Sequence, residues 1–140
     1  MIRDCLKDNF REGGYIMEWD LDDSRSIWPQ LKEVLIRAIV SGEYEKGGTF
    51  PTVRQLAQEA GVNRNTMQRA MAELEAEGLL ITNRTAGRTV TTDQALIDAM
   101  REKLADANIQ TYLNEMQSLG YTERQAVERI NEKFERGEMK

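Results

Sequence analysis

A chain of 140 residues with 19 Lys and Arg against 24 Asp and Glu, a formal net charge of −5, has room for one modest core plus an appendage. It contains no His, which removes the commonest general base and metal ligand, and one Cys, Cys5, which rules out an intrachain disulfide. No apolar run approaches the ~20 residues of a membrane span and no signal-peptide pattern is present, so a cytoplasmic location without membrane contact is expected. Residues 1–24 hold 3 basic against 7 acidic side chains and form an N-terminal extension or arm. Arg11-Glu12-Gly13-Gly14 is what a purine-rich ribosome-binding site would encode if translated, just upstream of Met17. Either residues 1–16 are a mis-annotated extension with the natural start at Met17, or they are a real flexible arm. Met17-Glu18-Trp19-Asp20 then opens a short acidic segment before the first helix.

The organising pattern runs from Thr49 to Leu74. Leu56, Ala57 and Ala60 have helical spacing before Gly61, and Met67, Ala70, Met71 and Leu74 repeat i, i+3, i+4, i+7 after it. Gly61 supplies a sharp turn between the two helices and Asn63 is placed to cap the second. At 100° per residue the apolar set gathers on one side of that helix, with Asn65, Gln68, Arg69 and Ala72 roughly opposite. Arg64, Asn65, Gln68 and Arg69 carry the chemistry that reads base edges, Arg against guanine and Asn or Gln against adenine, and Thr66 can anchor a phosphate. After Glu77-Gly78 come two β-prone runs, Leu79–Thr82 and Thr89–Thr92, around Asn83–Arg88, which reads as a hairpin with Arg84 and Arg88 at its tip. A helix pair followed by a hairpin is a winged helix-turn-helix, mainly α with a small β wing, over residues 25–92. This segment alone is basic, with 9 Lys and Arg against 7 Asp and Glu; local charge rather than the total governs contact with phosphate.

Residues 93–140 hold 7 basic against 10 acidic side chains and read as a helical hairpin. Asp93 is placed to cap a first helix bearing Leu96, Met100, Leu104 and Ala107, continuing through Tyr112, Leu113 and Met116 to Gly120. Thr122-Glu123-Arg124-Gln125 is a capping-box pattern, followed by an apolar stripe of Ala126, Val127, Ile130 and Phe134. The hairpin is too small to enclose a ligand cavity of about 300 Å³. Two surfaces are available to cover its stripes, the winged helix of the same chain and a second copy. The second is preferred, giving a homodimer through residues 93–140.

The segments Ile27–Leu31, Ile39–Gly42, Gly48–Ala57, Gly61–Thr66, Leu74–Leu79 and Gly87–Val90, about half the chain, together resemble the GntR family of bacterial transcription regulators. The run Asn63-x-Asn65-Thr66-x-Gln68-Arg69-Ala70 and the short tail are similar to its YtrA subfamily. The resemblance implies that Thr52 starts the first helix of the pair and that Arg54 and Arg64 are the principal DNA-contacting arginines. It also implies that Thr66 holds a phosphate, that Gly87 lets the backbone approach the groove, and that the tail dimerises. The chain departs from the family pattern with Phe50-Pro51-Thr52 for a Leu-Pro-Ser turn, Gln68 where many members carry Arg, and Thr85 for the first wing glycine. A dimer of this kind places two recognition helices on an inverted-repeat operator in double-stranded DNA, with half-sites about one helical turn apart, ~34–36 Å, or a multiple.

An enzyme reading finds no support. Gly13-Gly14 and Gly47-Gly48 are isolated turn pairs, not a phosphate loop. Glu75/Glu77 and Asp22/Asp23 read as solvated charges, and neither cofactor nor metal is expected. A small-molecule effector at the dimer interface, or between tail and wing, is compatible with the pattern, although no residues mark its site. The alternative from another class is a winged helix serving as a protein-interaction module. The Asn/Gln-rich recognition face and five arginines speak against it, because protein interfaces favour aromatic and aliphatic anchors.

Overall fold

The computed structural model describes residues 10–11, 14–15, 17–85, 87–135 and 137. Half of the N-terminal extension, including Cys5, lies outside them. Phe10–Arg11 (β1) and Gly14–Tyr15 (β2) pair as a short antiparallel hairpin. Met17 is buried.

Helix α1, Ile27–Val40, starts without a side-chain cap from Ser26. Pro29 sits in its first turn, where the missing N–H has no intrahelical partner to lose. Gln30 supplies the entry instead. Its Nε2 donates to the carbonyls of Asp22 (2.9 Å) and Ser26 (3.0 Å), and its Oε1 accepts from Asp22 N–H at 2.7 Å. The helix buries Leu31, Leu35, Ile36 and Ile39. At its far end Arg101 donates to the Val40 carbonyl through Nε (3.2 Å) and Nη2 (2.8 Å), placing a cation at a helix C-terminus.

Helices α2, Val53–Ala60, and α3, Arg64–Ala76, form the expected pair. Gly61 takes φ 71°, the left-handed conformation that ends α2 and is costly for any residue with a Cβ. Thr52 and Gln55 cap α2 reciprocally: Gln55 N–H donates to Thr52 Oγ1 at 3.1 Å and Thr52 N–H to Gln55 Oε1 at 2.9 Å. Thr52→Ala removes half of this box and is expected to lower stability by about 1 kcal/mol. The loss should be read as a lower urea midpoint at unchanged slope.

Strands β3, Leu80–Asn83, and β4, Gly87–Val90, are antiparallel in the register Leu80↔Val90 to Asn83↔Gly87. Residues 47–50 line the other edge of β4. Phe50 N–H donates to Arg88 O (2.8 Å), Gly47 N–H to Val90 O (2.9 Å) and Val90 N–H to Gly48 O (2.9 Å). The wing is thereby tied to the segment that leads into α2. Leu31, Leu35, Ile39, Leu56, Met67, Met71, Leu74, Leu79, Leu80 and Val90, from the three helices, the hairpin and the residue just before it, are the largest fully buried side chains among the described residues.

Helix α4, Gln94–Ser118, is capped by Asp93, whose Oδ1 accepts from Leu96 N–H at 3.2 Å. The chain divides into two compact units between Arg101 and Glu102, inside this helix. The first unit thus extends past residue 92, because Ile97 is buried in it and Arg101 bonds to Val40. Burial falls on Ile97, whereas Leu96 and Met100 of the expected stripe are half-buried. The second unit contains the remainder of α4 and helix α5, Glu123–Glu135. Thr122 and Gln125 form the capping box, with Gln125 N–H to Thr122 Oγ1 at 3.1 Å and Thr122 N–H to Gln125 Oε1 at 2.9 Å. The Tyr112 hydroxyl donates to the Ala126 carbonyl at 2.7 Å and Ala126 is buried.

Candidate nucleic-acid interface

The first turn of α3 is built by Asn63, whose Oδ1 accepts from Asn65 N–H at 2.7 Å. Met67, Ala70, Met71 and Leu74 turn inward and are buried, which fixes the rotation of the helix. Arg64, Asn65 and Gln68 are left exposed and Thr66 half-buried. A helix N-terminus carrying these groups presents both a positive dipole end and base-reading side chains to an anionic groove. Arg54 is exposed on α2, and Thr52 is exposed at that helix's N-cap.

The remaining arginines divide into two kinds. Arg84 is exposed in the hairpin turn. Gly87, with φ 72°, faces open space, so its backbone can be approached closely. Arg69 and Arg88, by contrast, already have partners within the protein. The Arg69 guanidinium lies over the Trp28 ring, 4.3 Å from its centroid, and joins α3 to α1. Arg88 stands within β4 opposite Thr82, not at the hairpin tip. It is half-buried, its Nε donates to Glu75 Oε1 in a very close ion pair, and its Nη2 lies 3.4 Å from Gln68 Oε1.

Glu75 and Glu77 are therefore more than solvated charges: Glu75 holds Arg88, and Glu77 accepts from Lys32 Nζ at 2.6 Å. The seven-residue spacing from Gln68 to Glu75 places both on one face of α3, the signal from which Glu75 could have been recognised. Partial burial pushes the Glu75 carboxyl up, but hydrogen bonds from Arg88 and Thr82 outweigh it and hold the pKa below its ordinary value. A depressed carboxyl stabilises the fold above its unfolded pKa, and that contribution is lost as pH falls through the folded value. The gap in thermal stability between the wild type and Glu75→Gln should accordingly be largest at neutral pH. It should close below the ordinary carboxylate range.

A groove of about 610 Å³ separates the start of α2, at Phe50, Thr52 and Gln55, from Thr82, Gly87 and Arg88 of the hairpin. Among the described residues, no group of His, Cys, Asp and Glu could hold a metal ion, and no helix is long and apolar enough to cross a membrane.

Residues 29–90 match the model of the bacterial regulatory proteins, gntR family. The HTH-type transcriptional regulator Rv1152 of Mycobacterium tuberculosis is 30% identical over 112 residues, 77% of this chain and 85% of that protein. An uncharacterized HTH-type transcriptional regulator of Bacillus subtilis, YhcF, is 28% identical over 114 residues, 81% of this chain and 94% of its own length. The structure of a GntR family transcriptional regulator from Listeria monocytogenes superposes with a TM-score of 0.71 at 32% identity, covering 80% of this chain and 98% of that one. With an exposed recognition face on α3, a hairpin wing and these relatives, the chain belongs to the GntR family: it is a DNA-binding winged helix-turn-helix transcription regulator, not an enzyme.

Proposed function

We propose that the protein is a cytoplasmic, YtrA-like repressor that binds an inverted-repeat operator as a homodimer. Residues 25–92 contact the DNA, residues 93–140 join the two copies, and residues 1–24 precede both as an arm. The observation that carries the dimer is the apolar face of the tail. In α5 the side chains of Val127, Ile130 and Phe134 remain exposed at helical spacing, with Phe134 71% exposed. A second copy of the same face is the cover that closed two-fold symmetry provides. Arg54, Arg64, Asn65, Thr66 and Gln68 meet the major groove and its phosphates, and Arg84 and Gly87 bring the wing to the backbone. Occupying a promoter blocks polymerase, and tight binding alone suffices for that. A small-molecule effector would act by altering the half-site spacing.

The test is fluorescence anisotropy on the DNA upstream of the protein's own gene against scrambled DNA, at two salt concentrations. Tight, sequence-dependent binding by two protomers, falling steeply with salt, is expected. Absence of binding even at low salt would overturn this reading in favour of a protein-interaction module.

A further inference from the structure

Gln68 stands on the exposed face of α3, and its amide meets the wing at Arg88. Arginine has only donors. The end of the Gln68 amide that faces Arg88 Nη2, 3.4 Å away, must therefore be the oxygen. This orientation follows from donor chemistry and does not depend on distinguishing amide oxygen from nitrogen by position. Arg88 is in turn immobilised. Its Nε is held by Glu75, which also receives the Thr82 hydroxyl from the strand opposite, and its backbone carbonyl is bonded to Phe50. Arg88 and Glu75 are only 21% and 30% exposed, so solvent screens the pair weakly.

The geometry points to Glu75 as a positioning residue for sequence specificity: by pinning Arg88 against Gln68 it fixes the Gln68 amide oxygen toward the wing and leaves the Nε2 hydrogens for the DNA. This inference rests on the reading of α3 as the recognition helix. A free glutamine pairs with adenine by accepting from N6 and donating to N7. With its oxygen turned toward Arg88 and the wing, Gln68 presents its Nε2 hydrogens to the groove and suits guanine, which offers N7 and O6 as two acceptors. The wing and the recognition helix thus read one base pair jointly.

The test is selection from a randomised duplex library with the full chain and its variants. Gln68→Ala identifies the base pair at issue as the position whose preference disappears. Wild type is expected to favour guanine over adenine there by roughly tenfold. Glu75→Ala unpins Arg88 and should reduce that preference to about twofold or turn it toward adenine. Glu75→Gln loses the same charge but keeps an acceptor for Arg88, and should retain it. An unchanged preference in Glu75→Ala overturns the proposal. So does an equal loss in Glu75→Gln, which would indicate a charge effect, and so does adenine selected by the wild type. A wild type that enriches no sequence at all overturns the DNA-reading assignment itself, a distinct result.

Discussion

Replacing Ile130 and Phe134 by Asp is expected to convert the protein to monomers and to weaken operator binding by about 10²–10⁴-fold, the avidity lost when two linked sites become one. Both side chains lie on the exposed face of α5, and burying two carboxylates in an apolar contact costs far more than the pair of side chains contributes. The tail's internal contacts are made elsewhere. Ala126 is buried, Tyr112 bonds to its carbonyl and Thr122 caps the helix, so the helical hairpin should survive the change. Sedimentation velocity and circular dichroism, followed by anisotropy on the operator, separate the effects. A dimer that persists in the double variant would remove α5 from the interface. A monomer that still binds at full strength would remove dimerisation from the mechanism.

The helix-turn-helix was legible because its signals are local. Gly61 and Asn63 mark the turn and the cap, and four apolar side chains at i, i+3, i+4, i+7 set the rotation of α3. The capping box at Thr122 was equally visible, since a hydroxyl and an amide three residues apart serve each other without tertiary help. At Thr52 the resemblance implied only a helix start, and the reciprocal bond with Gln55 comes from the structure. Strand register is less local. β4 begins at Gly87 and not at Thr89, because residues 47–50 pair with its outer edge and extend the ladder toward the turn. This shift moved Arg88 from the tip into the strand, beside Glu75. The sequence places Arg69 on the DNA-reading face and gives no sign of its stacking, because its partner, Trp28, comes from a helix distant in sequence. Similarly, i, i+4 spacing selected Leu96 and Met100, whereas packing of the opening turns of α4 within the first unit buries Ile97.

These internal contacts separate the arginines by expected consequence, and Arg64 stands at one extreme. It is the first residue of α3, exposed, beside the Asn63 cap that fixes the backbone there, and no bond within the protein holds its side chain among the described residues. A guanidinium so placed is available to pair with guanine O6 and N7. Arg64→Ala should therefore cost about 1–3 kcal/mol of operator binding and relax selectivity at one base pair per half-site, with folding stability unchanged. Arg69→Ala should behave oppositely. Loss of the stacked cation over Trp28 costs about 0.5–1 kcal/mol of stability, and binding should weaken evenly across sequences as α3 loses a tether to α1. Anisotropy on the operator and on single-base variants, run beside urea unfolding of both proteins, distinguishes the two. If Arg64→Ala weakens all sequences equally and flattens the salt dependence by about one unit of slope, Arg64 meets a phosphate and not a base. Base reading by α3 would then rest on Asn65 and Gln68.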